Sequence, residues 1–310
     1  MKNIEFMEKI IDPLSDLGFK LLFGREKISE PVLKDLLNAL LCGSEGFEEI
    51  TSVKYLNNER SAEWKDGKSI RYDILCQTES KHRFIVEMQK ASQPKFIDRA
   101  TFYVARGIAE QGHRGKKDGE REWDYELEPV IGVFICNSYV RGLEKKPIVR
   151  ASTLDEDSFK PIGMKTRYVF VQLPAFKKTE DECENLDDQW IYNIKNMGIR
   201  QEVAFRQNSE VFKRLAEVAN VATLTPEQRY HYEADVKIVR DTLNQIRGAY
   251  QDGEENGEKR GLEKGRAEGE QIERRKSIRM MLSFGIRPEQ IAKEYGISVT
   301  EVAHIAESDL

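Results

Sequence analysis

Cysteine, histidine and long apolar runs are all scarce in this chain of 310 residues, and each shortage closes a class of function. The four cysteines, Cys42, Cys76, Cys136 and Cys183, are dispersed with no C-x-x-C pair. That argues against a disulfide framework and a structural zinc site, and leaves them as reduced thiols. The four histidines, His82, His113, His231 and His304, form no H-E-x-x-H or comparable spacing, so zinc hydrolase chemistry has no footing. Neither a G-x-S-x-G nor a Cys/His constellation offers a covalent nucleophile. No apolar run approaches the roughly 18 residues of a membrane span. The opening MKNIEFMEKIIDP mixes acids and bases without the apolar block of a signal peptide. A cytoplasmic protein without membrane contact is therefore expected.

What is present is charge. Charged residues make up 33% of the chain against 39% hydrophobic, which describes a soluble fold with enough apolar residues for a large core rather than a disordered one. The 49 basic and 54 acidic residues give a net charge of -5, on its face discouraging for a polyanionic partner. The balance is uneven along the chain. Residues 51–120 carry 14 Lys and Arg against 10 Asp and Glu, an excess of +4 that leaves the remainder at -9. A local basic excess attracts a polyanion even when the whole protein is acidic.

Two helical segments open the pattern. Leu17, Leu21 and Leu22 fall at helical spacing, with Ser15 or Asp16 as N-cap, and a second helix is expected over about 31–41, starting at Pro31. EITSVKYLNN (49–58) has the β-branched content of a strand. SIRYDILCQ and RFIVEMQK, separated by the short turn TESKH, read as a hairpin. In its second run, period two sets Glu87 and Gln89 on one face and Lys90 on the other. A helix is expected from Pro94 to Gln111, then the buried strands PVIGVFICN and RYVFVQLP. The fold class that follows is α/β, a mixed sheet flanked by helices, followed by an α-helical C-terminal region.

The boundaries expected are an α/β domain over 1–175, a helical extension over 176–250, a glycine-periodic charged linker or helix over 251–275 and a small helix-turn-helix-like tail over 276–310. In the extension, TPEQ (225–228) joins a capping threonine, a first-turn proline and an N3 glutamine. Glycine recurs at 253, 257, 261, 265 and 269. Each glycine costs a helix about 1 kcal/mol relative to alanine, so composition reads this stretch first as a linker and second as a glycine-faced helix that pairs with another chain. The helical C-terminal region is thus the candidate surface for a homodimer. The presumed recognition helix of the tail, Val299 to Glu307, carries Glu301 and Glu307 but no Lys or Arg, a poor composition for reading bases.

Asp73 and Glu87 fall on adjacent strands of the hairpin, where opposed side chains come within roughly 5 Å. Two carboxylates so placed suit a hard divalent cation, which activates water and neutralises charge on a phosphate. Asp73 alone reads first as a solvated residue on a half-exposed strand and only second as a ligand. Glu87, between Val86 and Met88 in a strand suited to burial, demands a partner or an ion. Gln89 either orients water or metal, or satisfies backbone groups at the strand end. Arg99, Tyr103 and Arg106 fall near one side of the following helix as candidates for meeting phosphates, or form its solvated basic face. Asp16 is a candidate third acid or an N-cap, and Trp64 and Tyr72 are candidates for stacking on bases or for packing.

The set DLGFKLLFG, LNNE, RYDIL and VEMQ, followed by QPKFIDRATFYVARGIAEQ, resembles the bacterial recombination-promoting nucleases and PD-(D/E)XK nuclease-family transposases over about residues 10 to 175. The resemblance implies a restriction-endonuclease-like core and Mg²⁺- or Mn²⁺-dependent hydrolysis of DNA phosphodiesters, in the service of recombination or transposition. It implies that Asp73 and Glu87 are the catalytic metal ligands. Gln89 stands where the superfamily carries lysine, which removes a cation that stabilises the pentavalent phosphate. A nuclease-fold module that binds DNA or protein without efficient cleavage is the alternative, supported by that exchange.

Overall fold

In the computed structural model of the protein, which describes residues 9–42, 44, 47–57, 59–60, 70–112, 126–163, 165–207 and 209–307, Ser15 starts the first helix. Its Oγ accepts the Gly18 N–H at 2.9 Å, capping α1 (Asp16–Phe23). Gly18 is required there, because a Cβ would stand 2.1 Å from the Asp12 carbonyl oxygen. Asp16 is therefore a first-turn residue rather than the cap. Helix α2 (Glu26–Leu41) begins earlier than expected: the helix formers Glu26 and Lys27 extend it, and Pro31 costs one backbone bond near its start.

Strand β1 (Val53–Tyr55) pairs with β4 (Ile74–Thr78), and β4 forms the expected antiparallel hairpin with β5 (Arg83–Gln89). A two-residue ladder, β2 (Glu59–Arg60) with β3 (Ile70–Arg71), lies apart from the main sheet. After β5 the chain crosses through α3 (Phe96–Ala109) to β6 (Val130–Cys136), which runs parallel to β5. β7 (Ile148–Ser152) is antiparallel to β8 (Thr166–Gln172), and β8 is parallel to β6. The six strands lie in the order β1-β4-β5-β6-β8-β7. The mixed α/β sheet flanked by helices is thus the one expected. β7 has no counterpart in the sequence reading, because its residues are half-buried or exposed and lack apolar alternation.

Alternation divides the sheet into two faces. Ile74, Cys76, Phe84, Val86, Met88, Val133 and Val171 join one core with α1 and α2. Leu75, Ile85, Val130, Phe134 and Phe170 join a second core under α3. Helix α3 sits close to the strands: a Cβ on Gly107 would stand 3.0 Å from Val130 Cγ1, and one on Gly132 2.8 Å from Val104 Cγ2. Glu87 and Gln89 belong to this α3 face, by period two from Ile85.

The core on the first face crosses residue 175. Trp190 of α4 (Leu186–Arg200) and Phe212 of α5 (Glu210–Ala219) are fully buried in it, and Tyr232 of α6 (Pro226–Ser283) joins them. Trp190 Nε1 donates to Asp35 Oδ1 of α2 at 2.6 Å. Helix α6 opens with the expected capping box: Thr225 Oγ1 accepts the Gln228 N–H at 3.2 Å and Gln228 Oε1 accepts the Thr225 N–H at 3.1 Å.

The chain forms two compact units, Met1–Val239 and Arg240–Leu310. In the second, the glycine-periodic stretch is helical, although its composition reads first as a linker. Pairs such as Arg266–Glu270 and Lys264–Glu268 lie one helical turn apart and offset part of the glycine cost. Ile278, Ile291, Val302 and Ile305 bury a small core between the end of α6, α7 (Pro288–Tyr295) and α8 (Val299–Glu307). Among the described residues, no helix is long and apolar enough to cross a membrane.

Candidate active site

Asp73 immediately precedes β4, and Glu87 lies near the end of β5, so the hairpin register brings them to the same end of the sheet. They interlock through the backbone. Glu87 Oε1 accepts the Asp73 N–H at 3.0 Å, and Asp73 Oδ2 accepts the Met88 N–H at 3.0 Å. The side chain of Glu87 is 7% exposed and that of Asp73 14%. Burial, and next the negative charge of Asp73, push the Glu87 carboxyl up to about 8; the Asp73 N–H, Arg99 and Lys20 oppose that rise.

Two cations reach the pair from different helices. Lys20 Nζ of α1 lies 3.1 Å from Asp73 Oδ1, and Arg99 Nη2 of α3 lies 3.7 Å from Glu87 Oε2. Arg99 also lies over the Tyr103 ring, 5.0 Å from its centroid, and Nη1 donates to Gln93 Oε1 at 3.2 Å. Tyr103 in turn meets Tyr72 edge-on at 5.4 Å, and the Tyr72 hydroxyl donates to the Tyr103 carbonyl at 3.3 Å.

The candidates thus separate. Asp73, Glu87, Arg99 and Tyr103 form one contact chain, whereas Arg106 turns along its helix to Glu110 at 3.5 Å. Gln89 shares the face of Glu87, and its Nε2 donates to the Ala91 carbonyl just beyond the strand. Lys90 faces away, 3.4 Å from Asp16 and 3.6 Å from Asp235 of α6, so Asp16 serves that cation rather than the acid pair. Tyr72 is fully buried and packs instead of stacking on bases. Trp64 lies outside the described residues. Lys20 is the residue that sequence reasoning missed. It stands inside the FKLLFG segment, yet the contact joins residues 53 positions apart, and no local period announces it.

The donor set fits a divalent cation of the Mg²⁺ class. The buried carboxyl of Glu87 and the half-buried one of Asp73 repel one another when both are ionised, and a hard cation relieves that repulsion while taking oxygen ligands. Among the described residues, no group of three or more His, Cys, Asp or Glu converges, so such an ion would complete its shell from backbone carbonyl, water and substrate oxygens.

A parallel trio of strands extended by an antiparallel hairpin, with the acid pair at one end and helices on both faces, defines a PD-(D/E)XK-type nuclease core. The chain belongs to the PD-(D/E)XK nuclease family transposases, whose family model matches residues 13–249, more than half of its length. No curated protein and no solved structure matches it.

Proposed function

We propose that the first unit is a DNA endonuclease that hydrolyses phosphodiester bonds with a divalent metal ion, Mg²⁺ or Mn²⁺, in the cytoplasm, and that it acts in recombination or transposition of mobile DNA. The interlocked Asp73–Glu87 pair carries this reading: a buried acid and a half-buried one at hydrogen-bond range of each other's backbone can both ionise only at a large electrostatic cost, which a bound divalent cation offsets. Asp73 and Glu87 hold the ion. When bound, it supplies positive charge against the phosphate oxygens and favours ionisation of nearby water.

The reaction is an in-line displacement. Water oxygen joins phosphorus, the P–O ester bond breaks with its electron pair on the departing oxygen, one water proton ends on that oxygen, and the second is released. Arg99, held by Tyr103 and Gln93, faces the phosphate backbone next to Glu87. Gln89 is assigned to orienting water or metal through its amide oxygen, with its nitrogen anchored on Ala91.

Plasmid nicking tests the assignment. Asp73→Ala and Glu87→Ala are expected to lower the single-turnover rate by about 10³-fold; wild-type cleavage by both variants would sink it. A second reading, a nuclease fold that binds DNA without cutting it, draws support from Gln89, whose nitrogen is committed to the strand end. Metal titration separates the two, since the non-cleaving module binds DNA without Mg²⁺ and leaves it intact at every metal concentration.

A further inference from the structure

We propose that Lys20, on the first helix, supplies the cation that the motif strand lacks. The inference rests on the nuclease reading and adds a charge-stabilising residue from outside the strand motif.

Three observations carry it. First, the strand offers no cation to the acids. Gln89 is neutral and tied to Ala91, and the adjacent Lys90 is held on the other face by Asp16 and Asp235. Second, the ammonium of Lys20 lies 3.1 Å from Asp73 Oδ1, reaching the pair past the start of β4. Third, its position is fixed from below. Phe19, Leu21, Leu22 and Phe23 around it are buried, Ser15 caps the helix, and Gly24 ends it with an N–H on the Lys20 carbonyl at 2.8 Å. Lys20 itself remains 34% exposed, so the helix presents a rigid stem with an ammonium open to an incoming ligand.

Helix α6 braces this placement from within the first unit. The Leu17 N–H donates to Asp235 Oδ2 at 3.0 Å and the Asp12 N–H to the Tyr232 hydroxyl at 2.6 Å, which pins the start of α1. An ammonium beside the acid pair lies within reach of a phosphate oxygen drawn to that pair. It stabilises the negative charge that grows on the non-bridging oxygens as phosphorus takes its fifth ligand. Arg99 answers a different need: its guanidinium is shared with Tyr103 and Gln93 and lies farther from its acid, which suits backbone positioning.

The test compares Lys20→Met, Lys20→Arg and the double variant Lys20→Met/Gln89→Lys in full-length protein. Single-turnover cleavage, DNA affinity in Ca²⁺ and Mn²⁺ affinity by calorimetry are measured. Lys20→Met is expected to cut about 10²-fold more slowly, with DNA affinity changed less than about threefold, since one phosphate contact among many is lost. Lys20→Arg keeps most of the rate, and Gln89→Lys restores at least tenfold by returning an ammonium to the site from the strand. Mn²⁺ binds Lys20→Met at least as tightly as wild type, because a competing positive charge has gone from Asp73. An active wild type with an unimpaired Lys20→Met, or a slow Lys20→Met that neither Arg nor Gln89→Lys rescues, overturns the role of Lys20 alone. A wild type that cuts no DNA in Mg²⁺ or Mn²⁺ overturns the nuclease reading, and the role of Lys20 in cleavage with it; the Mn²⁺ titration then still reports whether Lys20 and the metal compete for Asp73.

Discussion

The acid pair and the long helix α6 use the same side chains to opposite ends. At the sheet end, Asp73 and Glu87 are nearly buried, and each meets backbone N–H groups and a cation drawn from a separate element. Along the glycine-periodic part of α6, residues 251–270, the acids and bases stand in water and pair with neighbours one turn away, as Arg266 does with Glu270 at 3.0 Å with 81% and 68% of the two side chains exposed. Exposed charge costs little and contributes little; buried charge is expensive and must be compensated. A chain that is one-third charged therefore reveals its chemistry where the charge is hidden.

That contrast can be broken from its strongest end downward. The largest effect expected is the loss of nicking in Asp73→Ala and Glu87→Ala, with no comparable loss for any single acid of α6 between 251 and 275. Next comes the core on the α1 and α2 face of the sheet: Leu36→Ala, at a fully buried position of α2, is expected to cost about 2–5 kcal/mol in urea unfolding. Leu262→Ala, at a 69% exposed position of α6, should stay within about 0.5 kcal/mol.

The pH dependence is narrower. Burial raises the Glu87 carboxyl above its ordinary 4.5, up to about 8, so in this interval the folded protein holds a proton that the unfolded chain has released. Protons bound to the unfolded state are then the fewer, and stability falls as pH rises through the interval. Urea midpoints of the metal-free protein should decline between about pH 4.5 and 8, and Glu87→Gln should remove that slope. A slope unchanged in Glu87→Gln contradicts the buried-acid account. The smallest effect belongs to the surface: Arg266→Ala should change stability by no more than about 0.5 kcal/mol, and less at high salt.

Much of this site is legible in one dimension. Period two in RFIVEMQK is enough to set Glu87 and Gln89 on one face and Lys90 on the other, and the short turn TESKH is enough to fold Asp73 back toward Glu87. The long-range closures are not. Lys20 meets Asp73 across 53 positions, Trp190 meets Asp35 across 155, and the core runs through residue 175, where composition alone changes from strand-rich to helical. Edge strand β7 escapes because an exposed strand needs no apolar alternation. The glycine-periodic stretch misleads for the reverse reason: its glycines suggest a linker, while the Glu, Lys, Arg and Ala between them favour the helix that forms.

The central claim, that Asp73 and Glu87 together hold the ion that makes this chain a nuclease, is tested most directly by diffraction from a crystal soaked in Mn²⁺ at neutral pH or above. The account predicts an anomalous peak between the two carboxylates, within about 2.5 Å of an oxygen of each, and its disappearance in Asp73→Ala. Ordered carboxylates with no peak between them at millimolar Mn²⁺ would contradict it.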